Sequence, residues 1–551
     1  MSDDINQLAA DYWQALLDTE PTWRHMLGDY TAVGSYEDAS RAAEDTTIAT
    51  LRDFAARAEA VDENGLDDQQ RLTRGAITST ATASADHLDT RVFELNADPV
   101  HGSQLSLRIV IPMLAIPDAD AAAAMPAKYA GIGAHFGQLA ERVREGAARG
   151  WAPPAFAVEG TIAQLDELLA TPLDDDLLLH TADLPDGVDE AGFRADLRDT
   201  IERDVRPGLT AFRDALSAEA LPIARPEDKV GLCWLDGGTE AYDVALRYFT
   251  TTSMKAEEIH QIGLDQVARL ADEYRALGPE VVGTDDLQEI FEAMRTDPAL
   301  HFETGEEMVE KSKEALARAE AVMGEWFETV PKAPCAVEST MVGAKAFYFP
   351  PASDGTRGGT FFINVDDVEA WGRFELESMA FHEGVPGHHL QLAIAAELPD
   401  SIPEFRKHLH NAAYAEGWGL YTERLADEMG LYTAAIDRMG MYSADSLRAC
   451  RLVVDTGIHA LGWSRQQAID YMLENSPMAE GVVRPEIDRY ICSPGQATSY
   501  MIGRLEIQRM RAEAEQRQGD AFEVKKFHSA VLDSGSLPLG VLDQVVRTRL
   551  P

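Results

Sequence analysis

The chain has 551 residues, 45% of them hydrophobic and 26% charged, a mixture that can bury a large core and does not fit a disordered chain. Its 94 acidic against 48 basic residues give a formal charge of −46, a field that repels phosphate backbones and anionic lipid surfaces, so neither a nucleic-acid nor a membrane partner is expected. No run approaches the ~18 apolar residues of a membrane span. The acidic start, Met1-Ser2-Asp3-Asp4, lacks the basic and apolar segments of a secretory signal, and a cytoplasmic protein is expected. Cys233, Cys335, Cys450 and Cys492 lie far apart, fitting neither a disulfide framework nor a thiolate zinc site.

Helical periodicity dominates from the start. Ile5, Leu8, Tyr12 and Leu16 make an amphipathic stripe, and Ile259, Ile262, Val267, Leu270 and Tyr274 make another. The stretch from Glu306 to Phe327 has similar composition. Pro117, Ala152-Pro153-Pro154, Pro207, Pro222 and Pro226 are read as breakers between helices. Ala344–Phe349 and Thr360–Asn364 are aromatic-rich runs flanking a Pro/Asp/Gly/Arg-rich turn, which predicts a β-hairpin within residues 344–365. Helical patterning then resumes from Asp367 nearly to Pro551. The expected fold is mainly α, a large multi-helix body with one small sheet beside its most unusual segment. An N-terminal helical part (1–240) and a C-terminal part (241–551) carrying that segment are expected to form one continuous unit.

The unusual segment is Phe381-His382-Glu383-Gly384-Val385-Pro386-Gly387-His388-His389-Leu390-Gln391. In the HExxH motif two imidazoles one turn apart hold a metal, and the intervening Glu faces the bound water. Here the second imidazole arrives late, since His388 is six and His389 seven positions after His382. Pro386 cannot donate to the carbonyl of His382 and glycines flank it, so a regular helix should break or bulge. A bulge absorbing two residues returns His388 to the usual place of the second ligand. Without one, His389 shares the face of His382 but lies roughly 10 Å along the axis. His388 is the expected ligand and His389 its alternate.

Ala413-Tyr414-Ala415-Glu416-Gly417-Trp418-Gly419-Leu420-Tyr421-Thr422-Glu423 then offers two carboxylates seven apart on one face. A His₂Glu zinc site needs one acidic ligand from elsewhere, and a ligating His usually donates its other nitrogen to a carboxylate. Glu416 as ligand and Glu423 as partner of a ligand fill those needs for one Zn²⁺ ion. Other metals accept imidazole and carboxylate ligands, but zinc suits them best.

These strings resemble the bacterial family catalogued as domain of unknown function 885. The likeness continues through Arg451-Leu452-Val453-Val454-Asp455-Thr456-Gly457-Ile458-His459, Pro494–Gly503 and Phe527-His528 with Gly535–Leu539, and so spans essentially the whole chain. Its members are regarded as zinc peptidases. A more distant likeness is to the all-helical gluzincins of the thimet oligopeptidase, carboxypeptidase Taq and angiotensin-converting enzyme groups. They place a Gly-His pair at the second ligand, like Gly387-His388, and a Glu some 25 residues later, like Glu416. The stretched His382–His388 interval is a departure from their pattern.

The resemblance implies a zinc-dependent peptidase acting on short peptides, with Glu383 as general base. Tyr500, then Tyr490, and also His459 and His528, are candidates to donate to the oxyanion. Arg451, oriented by Asp455 four residues on, or Arg489 would meet a substrate carboxylate. Ala346 and Tyr348, on the predicted strand, would bind an extended peptide by its backbone. Two alternatives share the sequence: an amidohydrolase acting on non-peptide amides, and an acidic helical binding protein without catalysis.

Overall fold

Helix-spaced apolar residues organise the chain nearly throughout, and the computed structural model describes residues 4–341, 343–351, 357–409 and 411–551. The first stripe forms the helix Ile5–Thr19, with Ile5, Leu8 and Tyr12 buried and the Asp4 side chain capping the amide of Asn6. The second forms Ala256–Val281, which buries Ile259, Leu270 and Tyr274, and the third forms Gly305–Trp326. Pro207 does not break the chain as its sequence suggests. It enters the first turn of Arg206–Ala215, and the wide π turn Ile201–Val205 just before it lets helical backbone run on from Glu190–Thr200. A wide turn accommodates the donor that proline lacks. The four cysteines are free, and among the described residues no helix is long and apolar enough to cross a membrane.

The two predicted strands exist as β2 (Ala346–Phe349) and β3 (Gly359–Asn364), antiparallel with Tyr348 opposite Phe361. Residues 352–356 of their connection lie outside the described residues. The sheet has a further strand, β1 (Cys335–Thr340), parallel to β3, giving the order β1-β3-β2. Phe361 and Ile363 of the central strand are fully buried, anchoring the sheet on the helices, while β2 stands at an edge.

One buried apolar cluster draws Ile5, Tyr12, Phe54 and Ile77 together with Leu316, Phe381, Trp418, Tyr421, Phe527 and Val546. Residues from both ends of the chain therefore pack around the helices that carry His382 and Glu416. A separate cluster within residues 33–220 centres on Tyr129, Phe136, Leu197 and Phe212. Burying side chains of this size stabilises by roughly 1.5–3 kcal/mol each, and the site helices sit in the larger of these two clusters.

Candidate metal centre

The Glu375–Glu383 helix ends one residue after His382, and a new helix, His388–Ala396, begins at His388. The link Gly384-Val385-Pro386-Gly387 is thus a full break, sharper than a bulge within one helix. Both glycines are needed for contact. A Cβ on Gly387 would lie 1.9 Å from the carbonyl oxygen of His382, and one on Gly384 would lie 2.3 Å from Leu316. The Trp418 indole N–H donates to the Pro386 carbonyl at 3.0 Å and holds the break against the next helix. This folding-back brings the His382 and His388 rings to 4.8 Å between centroids, nearly perpendicular at 88°.

The Ala412–Glu428 helix supplies the carboxylate. Glu416 Oε2 lies 3.6 Å from His382 Nε2 and 3.5 Å from His388 Nε2, and one ligand atom from each of the three lies within 4.8 Å of the others. Ligands about 2.0–2.1 Å from one tetrahedral ion stand roughly 3.3–3.4 Å apart. The donor set and its spacing therefore fit a single divalent ion such as zinc. Glu423, two turns further along the helix, accepts from His382 Nδ1 at 2.8 Å and from the Ser378 hydroxyl at 2.6 Å. It thereby fixes the His382 ring with Nε2 toward Glu416, as carboxylates behind metal-binding histidines do. Burial disfavours an imidazolium at His382, but hydrogen bonds to Glu416 and Glu423 outweigh it and raise the pKa to about 9. Glu416 shows the converse: burial favours its neutral form, yet bonds from His382 and His388 hold its pKa well below the usual carboxylate range.

Glycine spacing makes this approach possible. A Cβ on Gly419 would stand 2.7–3.0 Å from three atoms of the His382 ring, so the ring lies directly on that helix backbone. Gly417 faces Gly503 of the Ser499–Gln518 helix: a Cβ on Gly417 would lie 2.5–2.9 Å from the Gly503–Arg504 backbone, and one on Gly503 would lie 1.9 Å from the Ala413 carbonyl oxygen. That close crossing carries Tyr500 to the same cavity as Glu416. Burial and the Glu416 charge raise the Tyr500 phenol's pKa, so its hydroxyl keeps its proton as a donor.

A cavity of about 570 Å³ opens beside the three ligand candidates. Glu383, Tyr500, Arg451, Arg489, Ala346 and Tyr348 all line it. Arg448, Glu486 and His101 are among the contributors that were not signalled. Arg448 lies one turn before Arg451 on the Ala435–His459 helix, and its register beside Arg451 is the only sequence clue. His101 comes from the distant N-terminal part, and no motif marks it.

Several expected residues lie elsewhere. His389 is not with His382 and His388: Tyr348 OH sits 2.8 Å from its Nδ1 and the Ala333 carbonyl 3.0 Å from its Nε2. The break turns its ring toward the sheet. Tyr490 does not line the cavity, because its hydroxyl accepts from Arg451 Nε at 2.8 Å and donates to Glu486. His459 accepts from the Leu232 amide at Nδ1 (3.2 Å), leaving Nε2 to donate to the Tyr490 carbonyl (3.0 Å). His528 lies between Tyr421 OH and the Trp326 carbonyl. Burial lowers both of these histidines to a pKa of about 3, so they are neutral struts. Asp455 does not orient Arg451 either. It accepts from Tyr242 OH and the Gly495 amide, and Glu486 binds Arg451 instead, at 2.8 Å.

A mainly helical body with two imidazoles and a carboxylate converging on one point defines a candidate metalloprotein. The family model described as bacterial protein of unknown function (DUF885) matches residues 21–546, and the chain belongs to that family. Among solved structures, a "putative lipoprotein" from Colwellia psychrerythraea is similar at 25% identity and TM-score 0.91, covering 100% of both chains. A second, a "putative lipoprotein of unknown function" from Shewanella oneidensis, is 21% identical with TM-score 0.78, covering 98% of this chain and 99% of its own, and shares the fold. No curated protein matches the chain.

Proposed function

We propose that this protein is a zinc-dependent hydrolase, acting as a peptidase on short peptides held in the 570 Å³ cavity. The observation that carries the reading is the convergence of His382, His388 and Glu416 on one point, with Glu423 behind His382 and Glu383 in the same cavity wall. When bound, zinc supplies Lewis-acid chemistry, polarising a carbonyl and easing the deprotonation of water. The three side chains named would hold it. Glu383, adjacent in sequence to His382, takes a proton from the attacking water at its carboxylate and returns it to the leaving nitrogen. The Tyr500 hydroxyl donates to the carbonyl oxygen as that atom gains charge. Among the described residues no strand pairs with the outer edge of β2, which runs along the cavity at Ala346 and Tyr348, where an extended peptide backbone can add as a further strand. A peptide is favoured over a non-peptide amide by that edge, which offers backbone hydrogen bonds that a compact amide does not use.

The test is digestion of a mixture of short peptides by zinc-loaded protein, read by mass spectrometry. Cleavage that disappears on chelation and returns with zinc supports the proposal. Intact peptides at full zinc occupancy refute it.

A further inference from the structure

Acidic residues outnumber basic ones 94 to 48 in this chain, yet the cavity wall concentrates three guanidinium groups: Arg448, Arg451 and Arg489. Structural arginines in a folded interior are matched by acceptors, since a buried charge without a partner is costly. Here the matching is incomplete. Arg451 and Arg489 share a single carboxylate oxygen, Glu486 Oε2, at 2.8 and 3.0 Å. Arg451 Nη1 and Arg448 Nε are buried and have no hydrogen-bond partner. Nearest to Arg448 in charge is Glu423, 4.0 Å away and already engaged by His382 and Ser378. The Arg451 guanidinium also lies 4.4 Å over the Tyr500 ring, which locks it in place beside the group expected to face the reacting carbonyl. Glu486 and the Tyr490 hydroxyl also hold it in place. The wall therefore offers guanidinium N–H groups that its own acceptors leave unused, with Arg451 held rigidly next to Tyr500.

We infer that Arg451 and Arg489, with Arg448 beside them, form an anchor for the free carboxylate at the C-terminal end of the substrate. Resting on the peptidase reading, this makes the protein an exopeptidase that cleaves near the carboxyl end. A planar guanidinium with a spare N–H matches a carboxylate, and a charge-assisted bond of this kind in a dry wall discriminates strongly against a neutral amide. Glu486, on the same cavity wall, is a positioning residue: it holds both guanidinium groups in place. His101, at the same cavity wall and coupled electrostatically to Arg489 and Glu486, closes this end from the N-terminal part of the chain.

The experiment is calorimetric binding of an N-acetylated tripeptide and of its C-terminal amide to the metal-free full-length protein. The free acid is expected to bind about 10–100-fold tighter than the amide, and Arg451→Gln is expected to remove that preference while Arg451→Lys keeps part of it. Equal affinities in the wild type overturn the anchor. So does a preference that survives both Arg451→Gln and Arg489→Gln, because it assigns the carboxylate to the His382–His388 cluster. The wild-type comparison decides the matter even where a variant fails to fold. Acid-selective binding lost in Arg451→Gln, together with no cleavage of either peptide by the zinc-loaded protein, upholds the anchor and rejects the peptidase reading alone.

Discussion

Gly419→Ala is the most discriminating single-atom perturbation. The added methyl would stand 2.7 Å from His382 Cε1 and 2.9 Å from Nε2, the nitrogen facing Glu416. The ring must retreat by roughly 0.8 Å to reach the ~3.5 Å of an ordinary carbon–carbon contact. It cannot do so freely, because Glu423 grips Nδ1 at 2.8 Å and the ring is almost wholly buried. Metal sites tolerate displacements of about 0.2 Å. We expect zinc affinity to fall by about 10–100-fold, the loss typical of a misoriented ligand. The fold should not suffer in parallel, since alanine stabilises a helix interior by about 1 kcal/mol over glycine. Gly417→Ala behaves oppositely. Its methyl would strike the Gly503 backbone, where nothing flexible can yield, and the helix crossing itself is destabilised. Competition with a chromophoric chelator reads zinc affinity, and thermal unfolding of the metal-free protein reads the fold. A folded Gly419→Ala protein binding zinc within about twofold of wild type refutes the reasoning.

Three further outcomes are expected. Glu383→Gln should keep its zinc and lose about 10²–10⁴-fold in peptide turnover; a variant as active as wild type removes Glu383 from the proton path. Tyr500→Phe should lower kcat by about 10²–10³-fold with zinc content unchanged; an effect confined to KM assigns the phenol to binding instead. In the metal-free protein His382 is raised to about 9, so its protonated form stabilises the fold fully below the unfolded value of about 6.5, a contribution lost as pH rises through about 9. Zinc must displace that proton, so its affinity should climb by up to tenfold per pH unit between about 6.5 and 9. A flat titration over that window refutes the assignment of His382 as a protonated ligand.

How much of this was legible in the sequence depends on whether neighbours in the chain are neighbours in space. The His382-to-Glu423 constellation is built from two short segments whose spacings survive folding. Proline and glycine at 384–387 announce the break, and seven-residue spacing announces the shared face of Glu416 and Glu423. The two aromatic strands were equally plain. β1 was not, because only Val337 of its six residues is buried and its parallel partner lies more than twenty positions away. The stripe Arg451, Asp455, His459 misleads for a different reason. Nearly every residue from Met439 to His459 is buried, so that helix is surrounded on all sides. Each polar group then meets a different neighbour: Glu486 for Arg451, Tyr242 for Asp455, the Leu232 amide for His459. Spacing of four suggests a pair only on a surface helix. Nothing local to His101 betrays its arrival at the cavity, since tertiary packing alone brings it there.

The central claim is that His382, His388 and Glu416 hold one ion, and elemental analysis of purified protein tests it most directly. Wild type and His389→Ala should each carry one zinc per chain, while His382→Ala, His388→Ala and Glu416→Ala, folded by circular dichroism, should carry almost none. Full zinc in the Glu416→Ala protein, or its loss in His389→Ala with retention in His388→Ala, contradicts the account.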